Sequence, residues 1–370
     1  MMKRIISTVV LLSLAAMAAY AQNYYVDAEN SDMLRFGDYR EPQRKELILP
    51  SQVNGYNVYK SDLHTHSVYS DGSVSPQFRV KEAWLEGLDV IAVTEHIEYR
   101  PFESEYESYL RIDGTVDPDL NAAVNAAQKE AERWDIFIIP GTEITRDGRE
   151  VGHFNALFTQ DNNLIYADDP VQAIRNAKKQ GALVMHNHPG WIRKNIDFTP
   201  TEKIAYEEGL IDGVEVMNYI DFYPGIIDRV QELGLFIAAN TDIHGSAAED
   251  FNSNGYNRPT TLIFASERTE DGLREALKAG RTLAFGFNTL CGSEQLLVDF
   301  FKASVKVKEL SDNAYMLTNE TSIPYVIRFE GSNPVHINPF STIRVDGPSS
   351  FIVLNMFCGK GTNPSVELSF

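Results

Sequence analysis

Seven of the eight histidines lie between His64 and His244, and most of them stand in short polar signatures. In chain order these are Asp62-Leu63-His64-Thr65-His66, Ser70-Asp71-Gly72, Thr94-Glu95-His96, Gly141-Thr142-Glu143, Gly152-His153, His186-Asn187-His188-Pro189 and Thr241-Asp242-Ile243-His244. Neutral imidazoles and carboxylates are the ligands that borderline divalent cations such as zinc and manganese take. Gathered together without a cation, such groups repel one another or stay poorly solvated. The candidate ligands are therefore His64, His66, Asp71, His96, Glu143, His153, His188, Asp242 and His244. Taken singly, several have a plainer reading: Asp71 as a turn former, Glu143 as a helix cap, Asp242 as a residue that orients a histidine. Their clustering is what argues for metal chemistry.

Around this set stand further candidates. His186, two residues before His188, is open to four roles: ligand, substrate contact, proton donor to a leaving group, or a histidine satisfied by its neighbours. Trp191, Arg193 and Lys194 follow His-Pro-Gly on one expected loop. A guanidinium there suits a phosphoryl oxygen and an indole suits a substrate ring, while solvated loop charge is the plainer reading. Arg146 and Arg258 are weaker candidates of the same kind. His336 lies outside the cluster.

The elements that must position these groups alternate between strand and helix from about residue 58 to 287. Short apolar runs at 88–94, 136–139, 182–185, 213–217 and 235–239 suit strands buried on both faces. Helix signals separate them. Ser75-Pro76, Asp169-Pro170 and Thr199-Pro200 read as N-cap followed by N1, and Gly87, Gly181 and Gly209 as the residues just past the helix ends. Such a βα repeat implies a largely parallel sheet or barrel. His96, Glu143, His186, His188, Asp242 and His244 each fall just after an expected strand, at the end where barrel active sites are built. After about Gly292 the texture turns to β-branched and aromatic residues punctuated by Asn, Gly and Pro, which predicts a small all-β, sandwich-like domain.

Length and composition set the outer bounds. A chain of 370 residues with 43% hydrophobic and 23% charged content suits one large globular domain and a smaller one. Lys3 and Arg4, the apolar run that follows and the small-x-small Ala19-Tyr20-Ala21 read as a cleavable signal peptide over 1–21, which places the mature protein in the periplasm or outside the cell. The apolar run is too short to span a bilayer comfortably, so no stable membrane insertion is expected. The net charge of −19 becomes more negative once Lys3 and Arg4 are removed, which argues against long nucleic acid or anionic membrane as the partner. A small anionic substrate stays compatible, because bound cations reverse the local sign. Cys291 and Cys358 are the only cysteines, and sequence leaves a disulfide and two free thiols equally open.

The ordered motif set from Asp62 to His244 resembles that of the PHP family (polymerase and histidinol phosphatase), over roughly residues 58–290. One departure is Glu95, where members commonly carry aspartate. The resemblance implies a distorted (β/α)7 barrel with three divalent metal ions (Mn2+, Zn2+ or Fe2+). It assigns His64, His66, Glu143 and Asp242 to one ion, Glu143, His153 and His188 to a second with Glu143 bridging, and Asp71, His96 and His244 to a third. The organisation expected is a signal peptide over 1–21, an extension over 22–57, the barrel over 58–290 and the β domain over 295–370. The implied activity is hydrolysis of a small phosphate ester by a metal-bound hydroxide, with Asp242 and His186 the candidates to move protons. A leader and an accessory β domain resemble secreted bacterial phosphodiesterases of this family. The alternatives are a phosphomonoesterase of the histidinol phosphatase kind, a non-catalytic metal-binding or interaction domain, and hydrolysis of a C–N or lactone bond.

Overall fold

Asn54-Gly55 is the first strong local signal, and both residues adopt positive φ (53° and 82°). An Asn-Gly pair with that backbone makes the tight turn whose twist matches two antiparallel strands. It joins β1 (Gln52–Val53) to β2 (Tyr56–Asp62). The computed structural model describes residues 42–102, 119–146, 148–251, 257–311 and 313–368. The leader expected over 1–21, the extension up to residue 41 and the middle of the long loop after Ile97 lie outside these residues. Among the described residues, no helix is long and apolar enough to cross a membrane.

The chain then runs through α1 (Pro76–Leu85), β3 (Val90–Val93), α2 (Ala122–Ala131), β4 (Phe137–Ile144), β5 (Phe154–Leu157), α3 (Pro170–Lys179) and β6 (Leu183–His186). Next come α4 (Pro200–Glu207), β7 (Gly213–Asn218), β8 (Asp221–Phe222), α5 (Gly225–Leu233), β9 (Phe236–Asn240) and α6 (Ala247–Asp250). The expected caps are present. Ser75, Asp169 and Thr199 each accept a hydrogen bond from the first turn, and Thr199 with Glu202 completes a reciprocal capping box.

Seven strands form the barrel wall in the order β2-β3-β4-β5-β6-β7-β9. Six run parallel, as the βα repeat predicts. β5 runs antiparallel between β4 and β6, and this is the distortion. The strand predicted to stop at 139 continues to Ile144, so Glu143 lies within β4 and caps no helix. The wall closes where function needs it. Beyond the ends of β2 and β9, Asp242 N–H donates to the His64 carbonyl at 2.9 Å and His66 N–H to the Ile243 carbonyl at 3.1 Å.

Two antiparallel strands, β10 (Thr260–Ala265) and β11 (Thr282–Gly286), extend the sheet past β2, with α7 (Glu270–Lys278) between them. The buried Thr261 side chain on β10 links this flap to β9. Its Oγ1 accepts from Ala239 N–H at 2.9 Å and lies 3.0 Å from both the Ala239 carbonyl and Asn240 Oδ1.

The rest of the chain is β12 (Thr289–Cys291), α8 (Glu294–Ser304), β13 (Val305–Ser311), β14 (Ala314–Asn319), β15 (Tyr325–Arg328), β16 (Val335–Ile337), β17 (Thr342–Asp346), β18 (Ser350–Val353), β19 (Met356–Phe357) and β20 (Ser365–Glu367). Sheets β13-β14-β17 and β16-β15-β18-β20 make the all-β region. Phe300 and Phe301 of α8 join Phe264 of β10 and Tyr325 and Phe351 of the β sheets in one apolar core. The two cysteines are free and buried. Cys291 belongs to the core inside the barrel helices and Cys358 to the core shared with the β region, although the pairing of β12 with β19 sets Cys291 beside Phe357, the residue before Cys358.

Thr261→Val keeps the side-chain volume but removes the hydrogen bonds from Thr261 to β9, leaving the one that Ile237 N–H donates to Thr282 Oγ1. The expected cost is roughly 1–3 kcal/mol, because Ala239 N–H stays buried without a partner. Urea unfolding with an unchanged m-value would measure it, and a midpoint equal to wild type would show that the Thr261 hydroxyl contributes nothing.

Candidate metal centre

The nine candidate ligands meet at one end of the barrel. His64 and His66 follow β2, His96 follows β3, Glu143 points inward from β4, His188 follows β6, and Asp242 and His244 follow β9. His153 immediately precedes β5; because β5 is antiparallel, its start lies at the same end as the other strand ends. Asp71 sits on the loop after His66. That loop is so tight that a Cβ on Gly72 would stand 2.8 Å from the Ser67 backbone.

Glu143 occupies the centre. Its Oε1 lies 3.5 Å from His64 Nε2, 3.2 Å from His153 Nδ1 and 3.8 Å from His188 Nε2. Oε2 lies 2.6 Å from His96 Nδ1 and 3.6 Å from His66 Nε2. Asp242 Oδ1 stands 3.2 Å from His64 Nε2 and 3.0 Å from His66 Nε2, and Oδ2 stands 3.6 Å from His188 Nε2. Asp71 Oδ1 is 3.2 Å from His96 Nε2 and 3.0 Å from His244 Nε2. Three groups have donor atoms close enough for a shared cation: His66, Asp71, His96 and His244; His64, Glu143 and His188; His64, His66 and Asp242. Asp71 is therefore more than a turn former, and Asp242 faces the ring nitrogens directly.

The outer ring nitrogens are held by donors and acceptors that fix each tautomer. His153 Nε2 is 2.7 Å from the Arg146 carbonyl and His244 Nδ1 is 2.7 Å from the Asp242 carbonyl, so each of these nitrogens carries the proton and its partner nitrogen turns a lone pair inward. Glu215, which sequence reasoning passed over as part of an apolar strand, does the same for His64. Its Oε1 accepts from His64 Nδ1 at 3.0 Å, while Oε2 accepts from His188 N–H at 2.7 Å. A glutamate between two valines in an otherwise apolar run was the one sequence signal, and the structure buries it fully. Glu95 stays off the centre: its carboxylate binds Ser67 Oγ and Ser70 Oγ at 2.5 Å each and so shapes the loop from His66 to Asp71. Asp242 and His188 themselves adopt positive φ (53° and 24°), a strained backbone that concentrates at functional sites.

The donor set fits divalent cations. Asp71 Oδ1 and Glu143 Oε2 are buried without a hydrogen-bond donor among the described residues, although imidazole nitrogens surround them. His64 Nε2 and His66 Nε2 are 3.1 Å apart, a lone-pair contact that a shared cation or proton relieves. Without metal the rings divide their protons unequally. Burial lowers His66, and the neighbouring His96 and His244 add to this, taking it to about 3. Burial also opposes charge on His96, but Glu143 and Asp71 outweigh it and raise that ring to about 10.

The remaining candidates lie elsewhere. His186 was expected near the ligands as a possible proton donor. Its ring points instead under α4, with Nε2 3.0 Å from Glu202 Oε1 and Nδ1 3.0 Å from Tyr206 Oη. Both nitrogens are engaged, so the satisfied reading is the one observed. Arg193 also grips Glu202, at 2.7 Å from Oε1 and 3.1 Å from Oε2. Arg258 pairs with buried Asp62 behind the centre. Neither Arg193 nor exposed Lys194 is among the described residues that line the cavity above the ligands. Trp191 does line it, together with Arg146 and Arg149, and the cavity measures about 760 Å³.

Two outcomes follow. Glu215→Gln should weaken metal retention by about 10–100-fold, read by competition with a chelator; unchanged retention would remove Glu215 from the centre. In chelated protein, the raised His96 contributes stability that is complete below 6.5 and disappears as pH rises through about 10. Urea midpoints of the metal-free protein should therefore fall between pH 7 and 10, and a flat profile would contradict the charge pairing described.

Residues 62–213 match the family model for the PHP domain. No curated protein matches the chain. Among solved structures, it resembles a two-domain protein containing a predicted PHP-like metal-dependent phosphoesterase from Bacteroides vulgatus. The two share 33% identity over 89% of this chain and 100% of that one, with a TM-score of 0.81. More distant are a lesion-specific endonuclease from Pyrococcus furiosus (18% identity, 64% of this chain and 59% of that one, TM-score 0.41) and histidinol phosphate phosphatase from Lactococcus lactis (19%, 51% and 87%, TM-score 0.29). A match at this identity over 89% of the chain, on a barrel whose motifs occur in the expected order, means that the chain belongs to the PHP family.

Proposed function

We propose that this protein is a metal-dependent phosphoesterase, and specifically a phosphodiesterase acting on small phosphodiesters. The observation that carries the reading is the position of Glu143, whose two oxygens face separate sets of imidazoles on the floor of an open cavity. The likeness to the Bacteroides protein supports it. We assign three cations to the centre, drawn from manganese, zinc and iron, with His64, His66, Glu143 and Asp242 at the first, Glu143, His153 and His188 at the second, and Asp71, His96 and His244 at the third. Bound there, divalent cations supply charge stabilisation for phosphoryl oxygens and a nucleophilic water near neutral pH.

The chain's own groups do the rest. Glu143 holds two ligand sets in register. Asp242, in contact with His64, His66 and His188 and lining the cavity, is placed to accept or steer a proton from water. The diester preference rests on charge. A phosphomonoester dianion gains from extra cationic side chains, yet of the two described arginines lining the cavity, Arg146 and Arg149, the first pairs with Glu98 and the Ala167 carbonyl, and Arg193 lies outside the lining on Glu202. A singly charged diester needs less. The leader features over 1–21 and the acidic charge support export and a small-molecule partner.

Purified protein reconstituted with manganese or zinc should hydrolyse bis(p-nitrophenyl) phosphate at least about tenfold faster than p-nitrophenyl phosphate, a difference of ~1.4 kcal/mol in barrier. The reverse order would make it a monoesterase. Glu143→Ala should lose two metal equivalents by elemental analysis and fall by about a thousandfold or more in turnover, and near-normal activity would end the bridging assignment.

A further inference from the structure

Among the described residues, three aromatic rings stand exposed around the cavity mouth. Tyr99, Trp191 and Tyr219 are 54%, 43% and 39% exposed, and all three line the cavity. They come from different loops: after β3, after β6 and after β7. Trp191 is held in place. Its ring centroid lies 5.3 Å from those of both His153 and His188, and a Cβ on Gly148 would meet its six-membered ring at 3.1 Å. Tyr99 lies edge-on to His96 at 6.0 Å, and Tyr219 rests against Phe251 at 5.7 Å. Fixed aromatic surface left exposed beside a polar centre marks a binding surface.

Three polar groups of the same wall are engaged within the protein: Asn218 donates to Glu215 at 2.9 Å, Asp221 accepts from Tyr223 Oη at 3.0 Å, and Arg146 is bonded as described. Between them a flat apolar ring would find aromatic faces. The cavity volume of about 760 Å³ exceeds what a phosphoryl group alone occupies and suits a drug-sized ligand.

We propose that Trp191 and Tyr219 bind a planar aromatic group carried by the ester that hydrolysis leaves on phosphorus, as distinct from the leaving group. This rests on the phosphodiesterase reading for its turnover but not for its binding. An aryl ring and a nucleobase present the same π face, and the test separates them. The substrates are p-nitrophenyl diesters whose second ester group is methyl, phenyl or a 5′-nucleoside, so that the leaving group stays constant. The binding probes are phenylphosphonate and methylphosphonate, followed by tryptophan fluorescence of manganese-loaded protein. Trp84 and Trp134, the other two tryptophans, pack against each other between α1 and α2, so Trp191→Ala isolates the signal.

The expected result is kcat/KM about tenfold or more higher for the phenyl or the nucleoside diester than for the methyl one. Preference for phenyl alone assigns an aryl ester, and preference for the nucleoside assigns a base. Trp191→Ala and Tyr219→Ala should each shrink the gap, mainly through KM, and Trp191→Phe should restore it. Phenylphosphonate should quench Trp191 at concentrations about tenfold lower than methylphosphonate. Equal kcat/KM across the three diesters, or a preference that survives both alanine variants, would overturn the proposal. Selective quenching by phenylphosphonate without turnover of any diester would support the aromatic site and sink the phosphodiesterase reading. No selectivity in either readout would sink the aromatic site.

Discussion

A carboxylate with no solvent exposure costs several kcal/mol unless positive charge or donors surround it. Glu143 meets that condition by facing imidazoles from four different loops, those of His64, His96, His153 and His188. Each ring is useful only if its strand ends at the right height, so the barrel's register is fixed around one side chain. This explains the length of β4, which must continue past the buried apolar segment to carry Glu143 inward. It also explains β5, whose reversed direction brings His153 to the ligand end at the beginning of a strand.

The peptide groups beside the ligands are held as firmly as the ligands. Arg79 of α1 is almost fully buried and donates to the carbonyls of His66 at 3.0 Å and Gly245 at 2.8 Å. One guanidinium thus ties together the two segments that carry His66 and His244. Asp62 accepts from Thr241 Oγ1 at 2.5 Å and pairs with Arg258, which fixes the start of the Asp242 turn. Such clamps keep Asp242 in a left-handed backbone that an aspartate adopts at a cost of about 1–3 kcal/mol. The Glu202 hub serves the opposite loop: Arg193, bonded to Glu202, also donates to the Pro189 carbonyl at 2.5 Å and so steadies the turn from which His188 and Trp191 project.

The convergence of these histidines and carboxylates was legible in the sequence because metal chemistry restricts residue type and because the βα rhythm says where strand ends lie. Helix limits were legible at Ser75, Asp169 and Thr199 because capping is a local interaction. What stayed hidden depends on contacts distant in sequence. Glu215 looked like one residue of an apolar strand, and only the fold sets it against His64, 151 residues away. His186 shares a motif with His188 yet points to the other side of the sheet, because it is the last residue of β6 while His188 lies past the strand in a strained backbone. The β4 extension and the reversal at β5 were invisible to periodicity, since Gly141, Thr142 and Glu143 carry no apolar alternation. The hairpin at Asn54-Gly55 carried a clear turn signal, but the runs beside it were too short and polar to register as strands.

A centre of this kind links folding to its cation. In the metal-free protein, His96 keeps a proton well past neutrality while His66 refuses one down to about 3, although the two rings are 4.3 Å apart. Burial opposes charge on His64, His188 and His244 too, but the carboxylates they face outweigh it, so protons occupy the places that cations would fill. Cations entering the same space would displace those protons, so binding and proton release are one event. Because the ligands converge only in the folded chain, the binding free energy adds to stability as RT ln(1 + [L]/Kd). The strain at Asp242 and His188, the buried carboxylates and the close imidazole pairs are costs that the barrel bears and that bound cations would offset.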